Sequence, residues 1–142
     1  MADPLYTAVA TSTGDGRAGG RAVTDDGVLD LTLAIPRDMG GPGGATNPEQ
    51  LFAAGWASCF HSAIKAVAAG QKVTVNDSAV VAEVSVHPVD GGGFSLSAQL
   101  HVELTDVDQA TADQLVEAAH AVCPYSNATR GNIPVTVDAT VA

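Results

Sequence analysis

Two cysteines are the residues of this sequence that are best suited to chemistry. Cys59 lies in the mostly apolar run Leu51–Phe60, and Cys123 is followed directly by Pro124. A thiolate is a nucleophile and a metal ligand, whereas a thiol buried among apolar neighbours is usually inert. Taken alone, Cys59 is best interpreted as a small buried hydrophobic residue. Two cysteines in a chain that is expected to be cytosolic do not indicate a structural disulfide, so free buried thiols and redox chemistry both stay open.

The residues ahead of Cys59 predict the start of a helix. Asn47 is a suitable N-cap, since its side-chain oxygen can accept a hydrogen bond from a free backbone N–H of the first turn. Pro48 then occupies the first helical position, where its missing N–H removes no hydrogen bond. Glu49 in the first turn suits the positive end of the helix dipole. On these grounds alone, Glu49 is a helix-start acid.

An apolar stripe at helical spacing extends this helix past the first cysteine. The pattern predicts a helix from about Pro48 to Ala69, ended by Gly70, with Cys59 in its middle among apolar neighbours. The residues of the stripe are Leu51, Phe52, Trp56, Cys59, Phe60, Ala63, Ile64 and Val67. Such a broad stripe is typical of a helix that is buried over much of its surface.

The elements on both sides of this helix predict an α+β fold with antiparallel sheets and two main helices. Asp25-Asp26-Gly27 between two apolar runs is a hairpin signal. A second helix is expected from a cap at Asp108 or Thr111 until Pro124, and a polar connection over Tyr125–Asn132 follows it. The predicted strands are Leu5–Ser12, Arg21–Thr24, Val28–Ala34, Ser78–Val86, Phe94–Leu104 and Pro134–Val141.

Length and charge narrow the class of protein. A chain of 142 residues suits a single domain, 1–142, with a sizeable core. Its net charge of −10 argues against nucleic acid and against an anionic membrane surface as partners. Met1–Tyr6 lacks the basic region and the apolar core of a secretory signal, so the protein is expected to be cytoplasmic. Leu51–Ala69 is apolar, but its polar residues and many alanines favour a buried helix over a membrane span.

Several segments of the chain form motifs, and two of the longer ones each include a cysteine. They are Gly40–Gly44, Thr46–Gly55 with Ser58–Phe60, Val122–Asn132, Tyr6–Ala8 and the hairpin Asp26–Asp30. Together these motifs resemble the organic hydroperoxide resistance (Ohr) proteins of the OsmC superfamily, and the resemblance covers essentially the whole chain. The OsmC branch is similar in fold, but the run Cys123–Ala128 points to the Ohr branch.

The resemblance implies an OsmC-like fold in an intertwined homodimer, and a thiol peroxidase that reduces organic and fatty-acid hydroperoxides to alcohols. The peroxidatic cysteine matches Cys59 and the resolving cysteine matches Cys123. The cycle would then pass through a Cys59 sulfenic acid and a Cys59–Cys123 disulfide. No metal and no bound cofactor are expected. An external dithiol, dihydrolipoamide on a lipoylated protein, would reduce the oxidised enzyme.

The resemblance also implies an arginine and a glutamate at the site. The glutamate matches Glu49, and the arginine belongs in the glycine-rich turn after the first strand, which makes Arg17 the candidate and Arg21 a second one. Burial raises the pKa of a thiol, whereas a planar guanidinium can hold a carboxylate and a thiolate together. By itself Arg17 would be interpreted as a solvated turn residue, and Arg130 as a structural donor.

Apolar side chains are expected to form the substrate pocket. Phe52, Trp56 and Phe60 are its predicted walls, together with Met39 and Pro42 from the glycine-rich loop. Trp56 stands where the family often has tyrosine. Such a pocket would favour bulky organic hydroperoxides over hydrogen peroxide. The alternative is that these aromatic residues fill the core.

Other interpretations of the same residues remain open. His120 and Cys123 share a helical face, as a zinc site could require. Cys59 and His61 do not, because two successive steps turn a helix by ~200°. The same angle argues against His61 as the base of a Cys59 hydrolase, for which His120 is the other candidate. A non-catalytic redox sensor or a lipid-binding module of the same fold is the alternative outside enzymes.

The spacing of Glu49 and Cys59 predicts a site built from two chains. Ten positions on one helix separate them by about 15 Å along its axis, which a glutamate side chain does not cover. If Glu49 orients an arginine at Cys59, either the chain folds back or the glutamate comes from a partner subunit. We favour the partner, since Ala53, Ala54 and Gly55 allow close approach at a two-fold interface.

Overall fold

The longest helix begins as the sequence predicts. In a computed structural model of the protein, which describes all residues from Met1 to Ala142, helix α1 runs over Pro48–Gly70. The backbone N–H of Gln50 donates to Asn47 Oδ1 at 2.8 Å, which confirms Asn47 as the N-cap. Pro48 occupies the first helical position, where no N–H is needed.

The end of α1 differs from the prediction. Gly70 is the last helical residue, and the left-handed conformation falls on Lys72, with a φ of +58°. The Lys72 N–H donates to Ala69 O at 3.1 Å, and the Val73 N–H donates to Ala68 O at 2.9 Å. These two bonds form a Schellman motif, and the half-buried Val73 side chain packs against the core. The prediction that Gly70 closes the helix is therefore wrong. The turn falls two residues later, at Lys72, because the hydrophobic contact of Val73 fixes it there.

The segment Met1–Leu51 forms one compact unit around a three-stranded antiparallel sheet. Its strands, in sheet order, are β1 (Ala10–Thr13), β2 (Arg21–Thr24) and β3 (Asp30–Thr32). The predicted hairpin is present, since Gly27 adopts a φ of +74° and the Thr24 N–H donates to Leu29 O at 2.9 Å. The first and third strands are shorter than predicted, because apolar alternation does not show where the pairing partner ends.

Two irregular segments of this unit place its charged residues and its glycine-rich loop. A 3-10 turn at Gly16–Ala18 positions Arg17 between β1 and β2. A second 3-10 turn covers Arg37–Met39, where the sequence predicts only a loop. A Cβ on Gly41 would collide with the Ile35 carbonyl oxygen, so glycine permits a close backbone approach in this loop.

The segment Phe52–Ala142 forms a second compact unit around a sheet in the order β4-β5-β6. Its strands are β4 (Ser78–Pro88), β5 (Phe94–Leu104) and β6 (Val135–Val141). β4 and β5 form a long antiparallel hairpin, whereas β6 pairs with β5 in parallel. The helices α2 (Gln109–Val122) and α3 (Pro124–Thr129) supply the crossover that a parallel pair needs. The expected antiparallel pairing therefore holds for every strand pair except β5–β6.

The junction of α2 and α3 is the main departure from the predicted elements. The α2 helix begins as predicted, with the Thr111 N–H donating to the Asp108 carboxylate at 2.7 Å. It also ends as predicted before Pro124. The polar connection expected over Tyr125–Asn132 instead begins with α3. Proline disfavours a helical residue before it but suits the first position of a helix, so Pro124 both ends α2 and begins α3.

The core of the second unit lies between α1, α2 and one face of the sheet. Its largest fully buried members are Trp56, Phe60, Ile64, Leu100, Val102, Leu104, Leu115 and Cys123. The stripe that the sequence predicts on α1 is thus largely a packing surface. None of the helices combines the length and the apolar character that crossing a bilayer would require.

Candidate active site

The two thiols lie together in the segment Phe52–Ala142. Cys59 projects from the middle of α1 and is partly exposed, whereas Cys123 lies between α2 and α3 and is fully buried. Both thiols are free. Burial raises the pKa of the Cys59 thiol, and the neighbouring Cys123 side chain raises it further. The structure therefore brings together the two cysteines to which the sequence analysis assigned redox chemistry.

One backbone group favours the ionised form of Cys59. The backbone N–H of Tyr125 lies near the Cys59 thiol and lowers its pKa against the larger effects of burial and Cys123. The Tyr125 ring lies on α1, where a Cβ on Gly55 would come within 2.7 Å of the phenol oxygen. The same ring makes an edge-to-face contact with Phe52, with centroids 6.0 Å apart. Phe52, Gly55 and Cys59 are spaced by three and four residues, so they share one face of α1.

The sequence does not predict a role for Tyr125 in the site, and it predicts close approach at Gly55 in a two-fold interface. A signal for Gly55 exists, because glycine in a helix interior is less stable than alanine by about 1 kcal/mol. Its backbone has no positive φ that would require glycine, so close packing is the remaining reason. The structure shows that the neighbour of Gly55 within this chain is the Tyr125 ring.

The charged candidates pair with each other within the segment Met1–Leu51. Arg17 Nη1 donates to Glu49 Oε2 at 2.9 Å, and Nη2 donates to Oε1 at 2.7 Å. The hydrogen bonds from Arg17 hold the pKa of Glu49 below its usual range, and the same bonds raise the pKa of Arg17. A bidentate pair fixes the plane of the guanidinium as well as its position. This is the mutual orientation that the sequence analysis expects for the two residues.

Arg21, the second arginine candidate, has a different partner. It pairs with Asp30 across β2 and β3, with Nε donating to Oδ1 at 2.6 Å. The side chains of this pair are 58% and 46% exposed, against 35% and 15% for Arg17 and Glu49. The structure thus places Arg17, and not Arg21, on the glutamate.

The five predicted pocket walls fall into two groups. Trp56 and Phe60 have no exposed surface and belong to the core, so for these two the alternative of core packing holds. Phe52 is half-buried, and Met39 and Pro42 on the glycine-rich loop are exposed. Only these last three present surface that a ligand can contact, and their role as substrate walls stays a prediction.

His61 and His120, the two histidines with a possible role at the site, have hydroxyl partners. His61 Nε2 lies 2.7 Å from Ser78 Oγ, and His120 Nδ1 lies 2.8 Å from Ser126 Oγ. Burial lowers the pKa of His120. No group of three or more His, Cys, Asp and Glu side chains in the structure is arranged to hold a metal ion. Neither contact forms the Cys–His pair that a hydrolase with Cys59 as nucleophile would use.

Arg130 fixes the junction between α2 and α3. Its Nη1 donates to Asn127 Oδ1 at 2.7 Å, and its Nη2 donates to the carbonyl oxygen of His120. Both partners lie on the two helices that flank Cys123. Arg130 is therefore a structural donor, as its sequence context indicates.

Comparison with known proteins gives a consistent result. Residues 41–138 match the OsmC-like protein family. The chain is 51% identical to the organic hydroperoxide resistance protein of Xanthomonas axonopodis pv. citri, over 96% of this chain and 98% of that protein. A crystal structure of an organic hydroperoxide resistance protein from Legionella pneumophila superposes with a TM-score of 0.94 at 49% identity, covering 98% of this chain and 100% of that chain. The structure of OhrB of Bacillus subtilis gives a TM-score of 0.86 at 44% identity, with 96% and 100% covered.

Proposed function

The chain belongs to the OsmC-like protein family, and since its relatives are named organic hydroperoxide resistance proteins, we propose that it is a thiol peroxidase that reduces organic hydroperoxides to alcohols. The observation that supports this proposal best is the partly exposed Cys59 thiol beside a second, buried thiol, Cys123. A lone buried thiol would be a packing residue, but two adjacent thiols can carry a two-electron oxidation and store it as a disulfide.

The proposed cycle has three balanced steps. Cys59 gives up its proton and its thiolate attacks the terminal oxygen of the hydroperoxide, so an S–O bond forms, the O–O bond breaks, and the alkoxide leaves and takes up one proton as the alcohol. Cys123 then gives up its proton and its thiolate attacks the sulfur of the Cys59 sulfenic acid, so an S–S bond forms, the S–O bond breaks, and hydroxide leaves and takes up that proton as water. An external dithiol, for which we propose dihydrolipoamide on a lipoylated protein, reduces that disulfide and restores both thiols.

The first step needs a thiolate that the second unit does not favour by itself. Burial and the neighbouring Cys123 raise the pKa of Cys59, and a single backbone N–H opposes them. We assign the missing stabilisation to Arg17, held in orientation by Glu49 through two hydrogen bonds. A guanidinium that is already paired keeps donors free for a thiolate, since it carries five N–H groups.

We further propose that the arginine and the thiolate come from different chains of a homodimer. Glu49 and Cys59 are ten positions apart on the continuous helix α1, or about 15 Å along its axis. The proposal predicts complementation. When inactive Cys59→Ser chains are refolded together with inactive Glu49→Ala chains, mixed dimers should recover activity at one of their two sites. No recovery in verified mixed dimers, or an active monomer, would show that one chain builds the site alone.

Turnover tests the proposed function directly. The purified protein is supplied with dihydrolipoamide and with cumene hydroperoxide, a fatty-acid hydroperoxide or hydrogen peroxide, and the Cys59→Ser variant is the control. We expect many turnovers with the two organic substrates and far fewer with hydrogen peroxide, because the exposed surface near the site includes the apolar Phe52. A redox sensor would instead be oxidised once per chain. A lipid-binding module would consume no peroxide.

A further inference from the structure

Gly55 is the residue of α1 that the proposed chemistry leaves unexplained. It lies inside the helix without a positive φ, where glycine is less favourable than alanine. A Cβ added to Gly70, at the end of the same helix, would meet no atom within 4 Å. A Cβ added to Gly55 would lie 2.7 Å from the Tyr125 phenol oxygen and 3.2 Å from Cζ of the same ring. The absent side chain therefore makes room for one particular aromatic ring.

The residue seated on Gly55 is also close to the reactive thiol. The Tyr125 backbone N–H lies near the Cys59 sulfur and favours its ionised form. Gly55 and Cys59 are four residues apart, so they lie above one another on the same face of α1. Phe52, one turn further back, meets the ring at an interplanar angle of 74°. Tyr125 thus spans this face, with its ring on Gly55 and its backbone at the sulfur.

We propose that Gly55 and Tyr125 are positioning residues for Cys59. The ring, seated where α1 has no side chain, holds the Tyr125 N–H at the Cys59 sulfur and keeps the nearby Cys123 beside it. The mechanistic value of this arrangement rests on the proposed peroxidase function, since that function needs the Cys59 thiolate. The arrangement itself is a property of the reduced protein and is measurable without any peroxide.

The position of the ring can be changed without unfolding the protein. The Tyr125 residue is 37% exposed, so the ring has space into which it can tilt. The rest of α3 has its own anchors, because Thr129 Oγ1 donates to Tyr125 O at 2.8 Å and Ser126 Oγ bonds His120 Nδ1. These anchors also give an alternative explanation for the position of the Tyr125 N–H. If they alone fix the Tyr125 N–H, displacing the ring will leave the thiol unaffected.

The first test compares two substitutions of glycine by alanine on the same helix. The pKa of Cys59 is obtained from the pH dependence of iodoacetamide labelling, with the Cys59 peptide quantified by mass spectrometry. Gly55→Ala should raise the Cys59 pKa and, at a pH below it, slow labelling by about tenfold, which corresponds to one pKa unit. Gly70→Ala, which touches nothing, should label like the wild type. An unchanged Cys59 pKa in Gly55→Ala overturns the proposal.

The second test asks whether Gly55 acts through the ring. Tyr125→Ala should raise the Cys59 pKa as Gly55→Ala does, whereas Tyr125→Phe keeps the ring and should restore the wild-type value. Adding Gly55→Ala to Tyr125→Ala should have no further effect, because the added methyl group then meets no ring. Additive effects would overturn the coupling. Amide exchange of the Tyr125 N–H should become faster in Gly55→Ala, and unchanged exchange would count against the proposal.

The turnover assay tests the proposed function, and the labelling measurements test the positioning role independently of it. If the wild type turns over no hydroperoxide while Gly55→Ala still shifts the Cys59 pKa, the proposed function is wrong and the positioning role stands. If the wild type turns over organic hydroperoxides and neither Gly55→Ala nor Tyr125→Ala changes the Cys59 pKa, the function stands and the positioning role is wrong.

Discussion

The segments Met1–Leu51 and Phe52–Ala142 have opposite effects on the charge of their reactive groups. In the first, the hydrogen bonds from Arg17 hold the pKa of Glu49 low, so both members of the pair are charged at neutral pH. In the second, burial and a neighbouring thiol raise the pKa of Cys59, so its charged form is disfavoured. One segment has a preformed charge, and the other has a nucleophile that needs one.

This difference has a physical reason. An unpaired guanidinium buried among the apolar core residues would lose its hydration without full compensation. The Arg17 and Glu49 side chains instead stay 35% and 15% exposed and satisfy each other. Cysteine packs like a small apolar residue, and the Cys123 side chain is completely buried. Keeping the charge and the thiols in separate segments lets each form at little electrostatic cost, and the proposed chemistry then depends on bringing them to one site.

The largest effect is expected from the thiols. Cys59→Ser should reduce peroxide turnover to the background rate, because a serine hydroxyl does not ionise at neutral pH and accepts no oxygen atom. Cys123→Ser should still consume one equivalent of hydroperoxide and then stop, with a sulfenic acid on Cys59 that dimedone can trap. Stopped-flow consumption of cumene hydroperoxide and mass spectrometry of the labelled peptide measure the two outcomes.

A neighbouring substitution controls for damage to α1. Ser58 precedes Cys59 and is exposed, so Ser58→Ala should leave turnover unchanged. The assignment of roles is wrong if Cys123→Ser and Cys59→Ser lose the first oxidation step to the same extent. That result would make the second segment a unit with two equivalent thiols.

The comparison of two arginines in the first segment comes next in size. Arg17→Ala removes the proposed cation for the thiolate, and loss of a nearby opposite charge shifts a pKa by about 1 to 3 units. At a pH below the thiol pKa this corresponds to a kcat/KM lower by about 10- to 1000-fold. Arg21→Ala breaks a similar but more exposed ion pair and should leave kcat/KM within about twofold, as expected for a surface pair. Equal losses would remove the distinction between the two arginines.

The fold could be predicted from the sequence wherever a local signal decides the structure. Asn47 and Pro48 mark the start of α1, and Asp108 marks the start of α2, because capping uses hydrogen bonds within a few residues. The left-handed turn at Lys72 that closes α1 and the parallel pairing of β6 are not predicted by the sequence. Both depend on tertiary contacts, namely the packing of Val73 and the return of the chain over α2.

The candidate site shows the same division. The identity of Cys59, Cys123 and the Arg17–Glu49 pair followed from a resemblance between long motifs, and the structure then supplied the bidentate geometry of the pair. Tyr125 could not be predicted in this way, since a backbone N–H that lies near the thiol carries no sequence signal. The sequence leaves open whether Trp56 lines the pocket or fills the core, because an apolar side chain suits both places, and the structure buries it completely.

A smaller effect is expected when the charge of the ion pair is removed but its shape is kept. Glu49→Gln retains one of the two acceptors for Arg17, so kcat/KM should fall by about tenfold or less.

The pKa of Glu49 is lowered by Arg17, so the pair stabilises the fold above the unfolded carboxyl pKa of about 4.3, and this contribution is lost as the pH falls through the folded value. The melting temperatures of wild type and variant should therefore differ at pH 7, and the difference should shrink as the pH is lowered below about 4.3. A constant difference would contradict the pair's role.

The smallest effect is expected from the ionic cluster of the second segment, which has no proposed part in the chemistry. On the outer face of the sheet, His101 Nε2 bonds Glu83 at 2.6 Å and Nδ1 bonds Asp138 at 2.9 Å, across β4, β5 and β6. The hydrogen bonds to Asp138 and Glu83 raise the pKa of His101, so the stabilisation by its charged form is complete below the unfolded value of about 6.5 and is lost as the pH rises through the folded value.

His101→Gln should therefore lower the melting temperature by no more than a few degrees at pH 6, and the difference from the wild type should shrink by pH 9. The effect is small because these side chains are exposed to water, which screens their charges. His87→Gln is the matched control, since His87 bonds the Ser97 hydroxyl and no carboxylate. Peroxide turnover at pH 7 should be unchanged in both variants. A loss of turnover in His101→Gln that exceeds its loss of stability would show that charge in the second segment also serves the thiols, and would end the contrast between the two segments.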